Sequence, residues 1–139
     1  MTTVVCLGND MRGDDGAGPA VAERLRARGV PAVIEAPENL IHLFEECDDV
    51  VVVDAIATGA PPGTIHRLDA ADPLPDFSGA STHLFGLSDA VELARTLGRL
   101  PGSLRIIGIE AGAFAHGAAL SPPVDLAAER VADELALAR

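Results

Sequence analysis

Val50-Val51-Val52-Val53-Asp54 is the stretch that decides the fold. Four consecutive valines leave no alternation for a strand with one wet face, so they predict a central strand covered on both sides. Upstream, Leu40, Leu43, Phe44 and Cys47 recur at i, i+3, i+4 and i+7, the spacing of a helix. Before that helix, Ala32 to Ala36 reads as a strand. Gly16 to Arg28 reads as an amphipathic helix with Val21, Leu25 and Arg28 at helical spacing and Gly29 as its stop, and Thr3 to Leu7 as a buried first strand. Downstream, residues 57–63 (ATGAPPG) form a turn-rich connection, and Thr64 to Leu68 alternates as a strand with one wetter face. Two prolines and three aspartates make Asp69 to Gly79 a loop. Ser81 or Thr82 is placed to cap a third helix, with stripe Leu84, Leu87, Val91, Ala94 and Leu97 and with Gly98 and Pro101 ending it. Leu104 to Ile109 is a last apolar strand. Ser121-Pro122 opens a final helix carrying Val124, Ala128, Val131, Leu135 and Ala138 on one face. Strands alternating with helices predict an α/β domain. Residues 1–139 read as one domain, with no internal repeat or linker.

Composition narrows the function. The 139 residues are 48% hydrophobic and 22% charged, which is globular composition. Ten arginines against 21 acidic residues give a net charge of -11, and there is no Trp or Tyr. Such a surface repels phosphates and offers bases little to stack on, so nucleic acid is excluded as a partner. No apolar run reaches the roughly 18–20 residues of a membrane span, and the opening MTTVVCLGND lacks the basic segment of a signal peptide. The expectation is a cytoplasmic protein away from the membrane. Cys6 and Cys47 stand 41 positions apart and form no CxxC pair, so both read as reduced, buried small hydrophobes.

In an open α/β sheet, ligands collect beyond the carboxyl ends of the strands. Three polar clusters fall there: residues 8–18 (GNDMRGDDGAG), Asp54, and Ser81-Thr82-His83. Gly8 and Gly13 have the spacing of a phosphate loop, but Asp14 and Asp15 stand where such a loop needs Lys and Ser or Thr. Carboxylates there repel phosphate and attract a cation. Read singly, each group has a plain structural role. Asp14 or Asp15 would cap the first helix, Asp54 would bond backbone amides at its strand end, and His83 would bond a carboxylate or carbonyl. Taken together, Asp15, Asp54 and His83 come from three segments on one sheet edge, a set of two carboxylates and an imidazole that suits a divalent transition metal. His42, His66 and His116 have no acidic neighbour in the sequence that singles them out. No GxSxG elbow is present and Cys6 has no evident base beside it, so a hydrolase built here would use activated water.

Cys6-Leu7-Gly8-Asn9 followed by Gly13-Asp14-Asp15-Gly16-Ala17-Gly18-Pro19 resembles the opening of the hydrogenase maturation proteases. Val51-Val52-Val53-Asp54-Ala55 with Pro62-Gly63-Thr64, then Ser81-Thr82-His83 with Gly86-Leu87, then Ile107-Gly108-Ile109-Glu110 and Leu120-Ser121-Pro122, continue the resemblance in order over nearly the whole chain. It implies a three-layer α/β/α sandwich around a mostly parallel, twisted sheet of about five strands, like that of the phosphorylase/hydrolase-like folds. It implies an endopeptidase that trims the carboxyl terminus of a nickel-iron hydrogenase large-subunit precursor once nickel is in place. The metal-binding trio then maps onto Asp15, Asp54 and His83, with Asp15 and Asp54 as the catalytic carboxylates and Asp14 and Asn9 shaping the loop. The nickel belongs to the substrate, so no tightly bound cofactor is implied. The partner is the hydrogenase large-subunit precursor, and the enzyme is expected to act as a monomer. One departure stands in the first loop, where Cys6 takes the place of the family's usual first Gly. Two other readings share the same trio: a module that captures nickel or a nickel-bearing protein without cutting, and a related metallohydrolase with another substrate.

Overall fold

The computed structural model describes residues 2–9, 11, 13–35, 37, 39–72, 84–112 and 119–137. Five strands form one sheet: β1 (Thr3–Cys6), β2 (Val33–Glu35), β3 (Asp49–Ile56), β4 (Ile65–Asp69) and β5 (Ser103–Glu110). Their order is β2-β1-β3-β5-β4, and β4 alone runs antiparallel. The valine run lies in β3, the middle strand, and Val50 to Val53 are all buried. Burying each such side chain contributes about 1.5 kcal/mol or more.

Alternation along β3 sorts its side chains onto two layers. Val51, Val53 and Ala55 pack with α1 (Ala17–Ala27) and α4 (Pro122–Leu137) through Val21, Leu25, Val124, Ala128 and Val131. Val50 and Val52 pack on the opposite face with α2 (Leu40–Glu46) and α3 (Leu84–Leu97), through Phe44, Leu87, Val91 and Ala94. The result is the three-layer α/β/α sandwich with a mostly parallel sheet. Asn39 caps α2, its side chain accepting the His42 N–H at 3.0 Å. Gly29 ends the first helix with a left-handed φ of 74°.

Three local expectations change. The first helix is preceded by a 3₁₀ helix at Gly13–Gly16, and Arg28 lies just past the end of α1, where it pairs with Glu129 and Asp133 of α4 instead of joining the apolar stripe. Leu97 is half exposed, because the α3 stripe drifts away from the sheet by its last turn. Cys6 is buried and Cys47 only partly so. The proposed caps Ser81 and Thr82, and Ala138 on the last helix, lie outside the described residues.

Candidate active site

Strand order locates the crevice. From β1 the chain passes through α1 on one face to β2, then through α2 on the other face to β3, which lies on the far side of β1. The direction of winding therefore reverses between β1 and β3, and the carboxyl ends of those two strands flank the switch point where α/β sheets take their ligands. The loop after β1 and the end of β3 are the segments that carry Asp15 and Asp54. They are also in contact, because the 3₁₀ helix holding Asp15 packs against β3.

Both carboxylates are fully buried. Asp15 folds back on its own loop, where its Oδ2 and its carbonyl oxygen share the Asn9 N–H at 3.2 and 3.1 Å. Gly8 permits this turn. Its φ is 135°, and a β-carbon there would lie 3.4 Å from the Asp15 carbonyl carbon and closer still to its oxygen. Asp54 accepts the Ala55 N–H on Oδ1 at 2.8 Å, and it follows Val50 and Val52 onto the α2/α3 face. His83, the third residue of the expected trio, lies outside the described residues. Among the described residues, no three His, Cys, Asp or Glu side chains form a group that could hold a metal ion.

The helix-capping alternative for the acidic pair fails. The N-cap of α1 is Gly16, with no side-chain cap bond. Asp14, also fully buried, is instead a clamp between segments. Its carboxylate accepts the Gly112 N–H at 2.7 Å, the Ser121 N–H at 2.7 Å and the Ser121 hydroxyl at 2.8 Å. The first loop is thereby tied to the connection between β5 and α4, which fits the loop-shaping role expected for Asp14. Ser121, expected as a helix cap, gives its hydroxyl to Asp14, while its carbonyl accepts the Asp125 N–H.

Glu110, which the sequence placed only within the family resemblance and gave no role, is a further buried carboxylate of the site. It ends β5, is 1% exposed, and accepts the Thr58 N–H at 2.7 Å and the Thr58 hydroxyl at 2.6 Å. His66 Nε2 lies 3.1 Å from the same carboxylate. The apolar Ile107-Gly108-Ile109 run before Glu110 was the available signal, since a carboxylate ending a buried strand must find partners. The partners themselves lie 44 and 52 positions away.

Cys6 does not act as a nucleophile in this arrangement. Its side chain packs in the α1/α4 layer, and burial pushes its thiol up to about 12, so at neutral pH it carries no thiolate. Beside the first loop a cavity of about 460 Å³ opens, lined by Gly13, Gly16, Pro19, Glu23 and Leu120 among others.

Buried carboxylates at the switch point of a doubly wound sheet mark the candidate site, and the comparisons give the class of protein that carries it: the chain belongs to the hydrogenase maturation protease family, whose HycI family model matches residues 20–137. The hydrogenase 3 maturation protease of Escherichia coli is 33% identical over 143 residues, covering 97% of this chain and 89% of that protein. The hydrogenase expression/formation protein HupD of Bradyrhizobium diazoefficiens is also 33% identical, over 87% of this chain, which spans 68% of HupD. Among solved structures, the NiFe hydrogenase maturation protease HycI of Thermococcus kodakarensis superposes with a TM-score of 0.75 at 30% identity, covering 98% of this chain and 90% of that one. No helix among the described residues is long and apolar enough to cross a membrane.

Proposed function

We propose that this protease removes the carboxyl-terminal extension of a nickel-iron hydrogenase large-subunit precursor after nickel insertion. In this reading Asp15 and Asp54 grip the nickel that the precursor brings, and His83 completes the set as ligand or orienter. The nickel is part of the substrate and the enzyme keeps no metal of its own. A carboxylate oxygen turned away from the nickel holds the attacking water against the scissile carbonyl. The enzyme acts as a cytoplasmic monomer, and its acidic surface serves solubility.

What carries the reading is the pair of fully buried carboxylates at the β1/β3 switch point. A carboxylate held in a dry crevice binds a divalent cation more strongly than one in water, and a bound cation relieves its desolvation. The likeness to the Escherichia coli hydrogenase 3 maturation protease over 97% of the chain supports the substrate class.

The test is cleavage of a large-subunit precursor in nickel-loaded and nickel-free forms. Cleavage of the loaded form alone is expected, with Asp15→Asn and Asp54→Asn folded but inactive. Equal cleavage of both forms, or full activity in either variant, would refute the mechanism. Nickel-dependent binding without cleavage would make the chain a capture module instead.

A further inference from the structure

We infer that His66, anchored on Glu110, is the proton carrier of the cleavage reaction, a role that rests on the protease reading above. An ionised carboxylate can only accept, so in the proposed state of Glu110 the 3.1 Å contact takes its hydrogen from His66 Nε2. Both Glu110 oxygens are already fixed by the Thr58 N–H and hydroxyl, so the carboxylate that receives the imidazole cannot rotate freely. The Glu110 side chain is 2% exposed and that of His66 is 28% exposed. One ring nitrogen is thus held inside the protein, and Nδ1, with no partner among the described residues, is left as a base at the surface of the site. A buried carboxylate that sets the tautomer and steadies the imidazolium is the arrangement by which histidine moves protons in hydrolysis. His42 differs in this respect: its partner Glu46 is as exposed as the imidazole itself.

Asp54, Gly108 and His66 are register partners across three adjacent strands. Two strand spacings separate Asp54 from His66 by roughly 10 Å, wide enough for a peptide segment between them. Both side chains leave the same face of the sheet. Leu68, two residues on from His66, joins the α2/α3 core, whereas Arg67 turns to Glu134 of α4. Gly108 contributes no side chain between them, and Ile56 lies over it, with its Cδ1 2.5 Å from where a β-carbon would be. The row therefore reads carboxylate, apolar floor, imidazole.

The step balances with water as the only co-reactant. Water oxygen adds to the scissile carbonyl carbon while Nδ1 of His66 takes one of its protons, and the imidazolium rests against ionised Glu110. As the C–N bond breaks, Nδ1 returns that proton to the departing amine nitrogen. The products are the new carboxyl terminus of the large subunit and the free extension.

The experiment compares kcat and KM for nickel-loaded precursor in the purified unmodified enzyme and in His66→Gln, Glu110→Gln and His42→Gln. Glutamine at 66 can still donate an amide N–H to Glu110 but carries no transferable proton. Its kcat should fall at least ~100-fold with KM and melting temperature nearly unchanged. Glu110→Gln keeps an acceptor for Thr58 and removes the charge behind the imidazole, so its kcat should fall ~10-fold or more. His42→Gln should match the unmodified enzyme. Cleavage at the unmodified rate by a folded His66→Gln or Glu110→Gln enzyme would overturn the inference and leave the protease reading intact. Failure of the unmodified enzyme to cut loaded precursor would overturn both.

Discussion

Gly18→Ala should destabilise this protein although it replaces a poor helix former with the best one. Gly18 sits in the first turn of α1. On propensity alone the change would stabilise by about 1 kcal/mol. The structure reverses the sign. A β-carbon at position 18 would lie 2.9 Å from the Leu7 carbonyl carbon and 3.0 Å from the Leu7 nitrogen, and closer still to the Leu7 carbonyl oxygen. These are backbone atoms, and Leu7 is held in turn by its N–H bond to the Val53 carbonyl at 2.9 Å. No rotamer change relieves the clash, so α1 and the first loop must separate, at the upper end of the ~1–3 kcal/mol typical of overpacking. The net expectation is a loss of about 2 kcal/mol, or ~7 °C in melting temperature for a chain of this length. Urea unfolding followed by circular dichroism reads it directly. Asp15 lies three residues before Gly18, so the same shift should lower precursor cleavage on the order of 100-fold. A Gly18→Ala protein as stable as the parent, or more so, would show that α1 does not press on the first loop and would refute the account of how Asp15 is positioned.

Other expectations follow from single contacts. Asp14→Asn turns one acceptor of the clamp into a donor facing the donors of Gly112 and Ser121, and should cost ~3 kcal/mol in urea unfolding, whereas Ser121→Ala removes only the hydroxyl and should cost ~1 kcal/mol; equal losses would contradict the clamp. Because burial raises the Cys6 thiol from 9.0 in the free side chain to about 12, its contribution to stability is present below pH 9 and is lost as pH rises toward 12. Cys6→Ala should flatten that part of the pH–stability curve in thermal melts, and an unchanged slope would count against a buried thiol. Arg67 and Glu134 form an exposed surface pair, so Arg67→Met should move the melting temperature by less than ~3 °C even at low salt.

The contrast between Asp54 and Glu110 explains how far the sequence could be read. Each carboxylate ends a buried strand, and each is buried for want of any other place to go. Asp54 was legible because four valines announce a central strand, and the carboxyl end of a central strand is where an α/β sheet binds its ligands. The register that makes Glu110 matter was not legible. It depends on β4 turning back antiparallel beside β5, so that His66 meets Gly108 and its ring reaches Glu110. Alternation in residues 64–68 predicts a strand but carries no information about its direction or neighbour, and a shift of one residue would have sent His66 to the α4 layer instead. The same limit explains Asp14. Adjacent aspartates before a helix look alike as caps, and only the approach of Gly112 and Ser121, 98 and 107 positions away, separates the clamp from its neighbour Asp15. Local pattern marked Asp54 as a carboxylate ending a buried strand, and long-range pairing decided what the other buried carboxylates do. On the proposed water mechanism, the sequence announces little of the proton chemistry, because residues that move protons need only converge in space, and the pair proposed for it comes from β4 and β5 rather than from one motif.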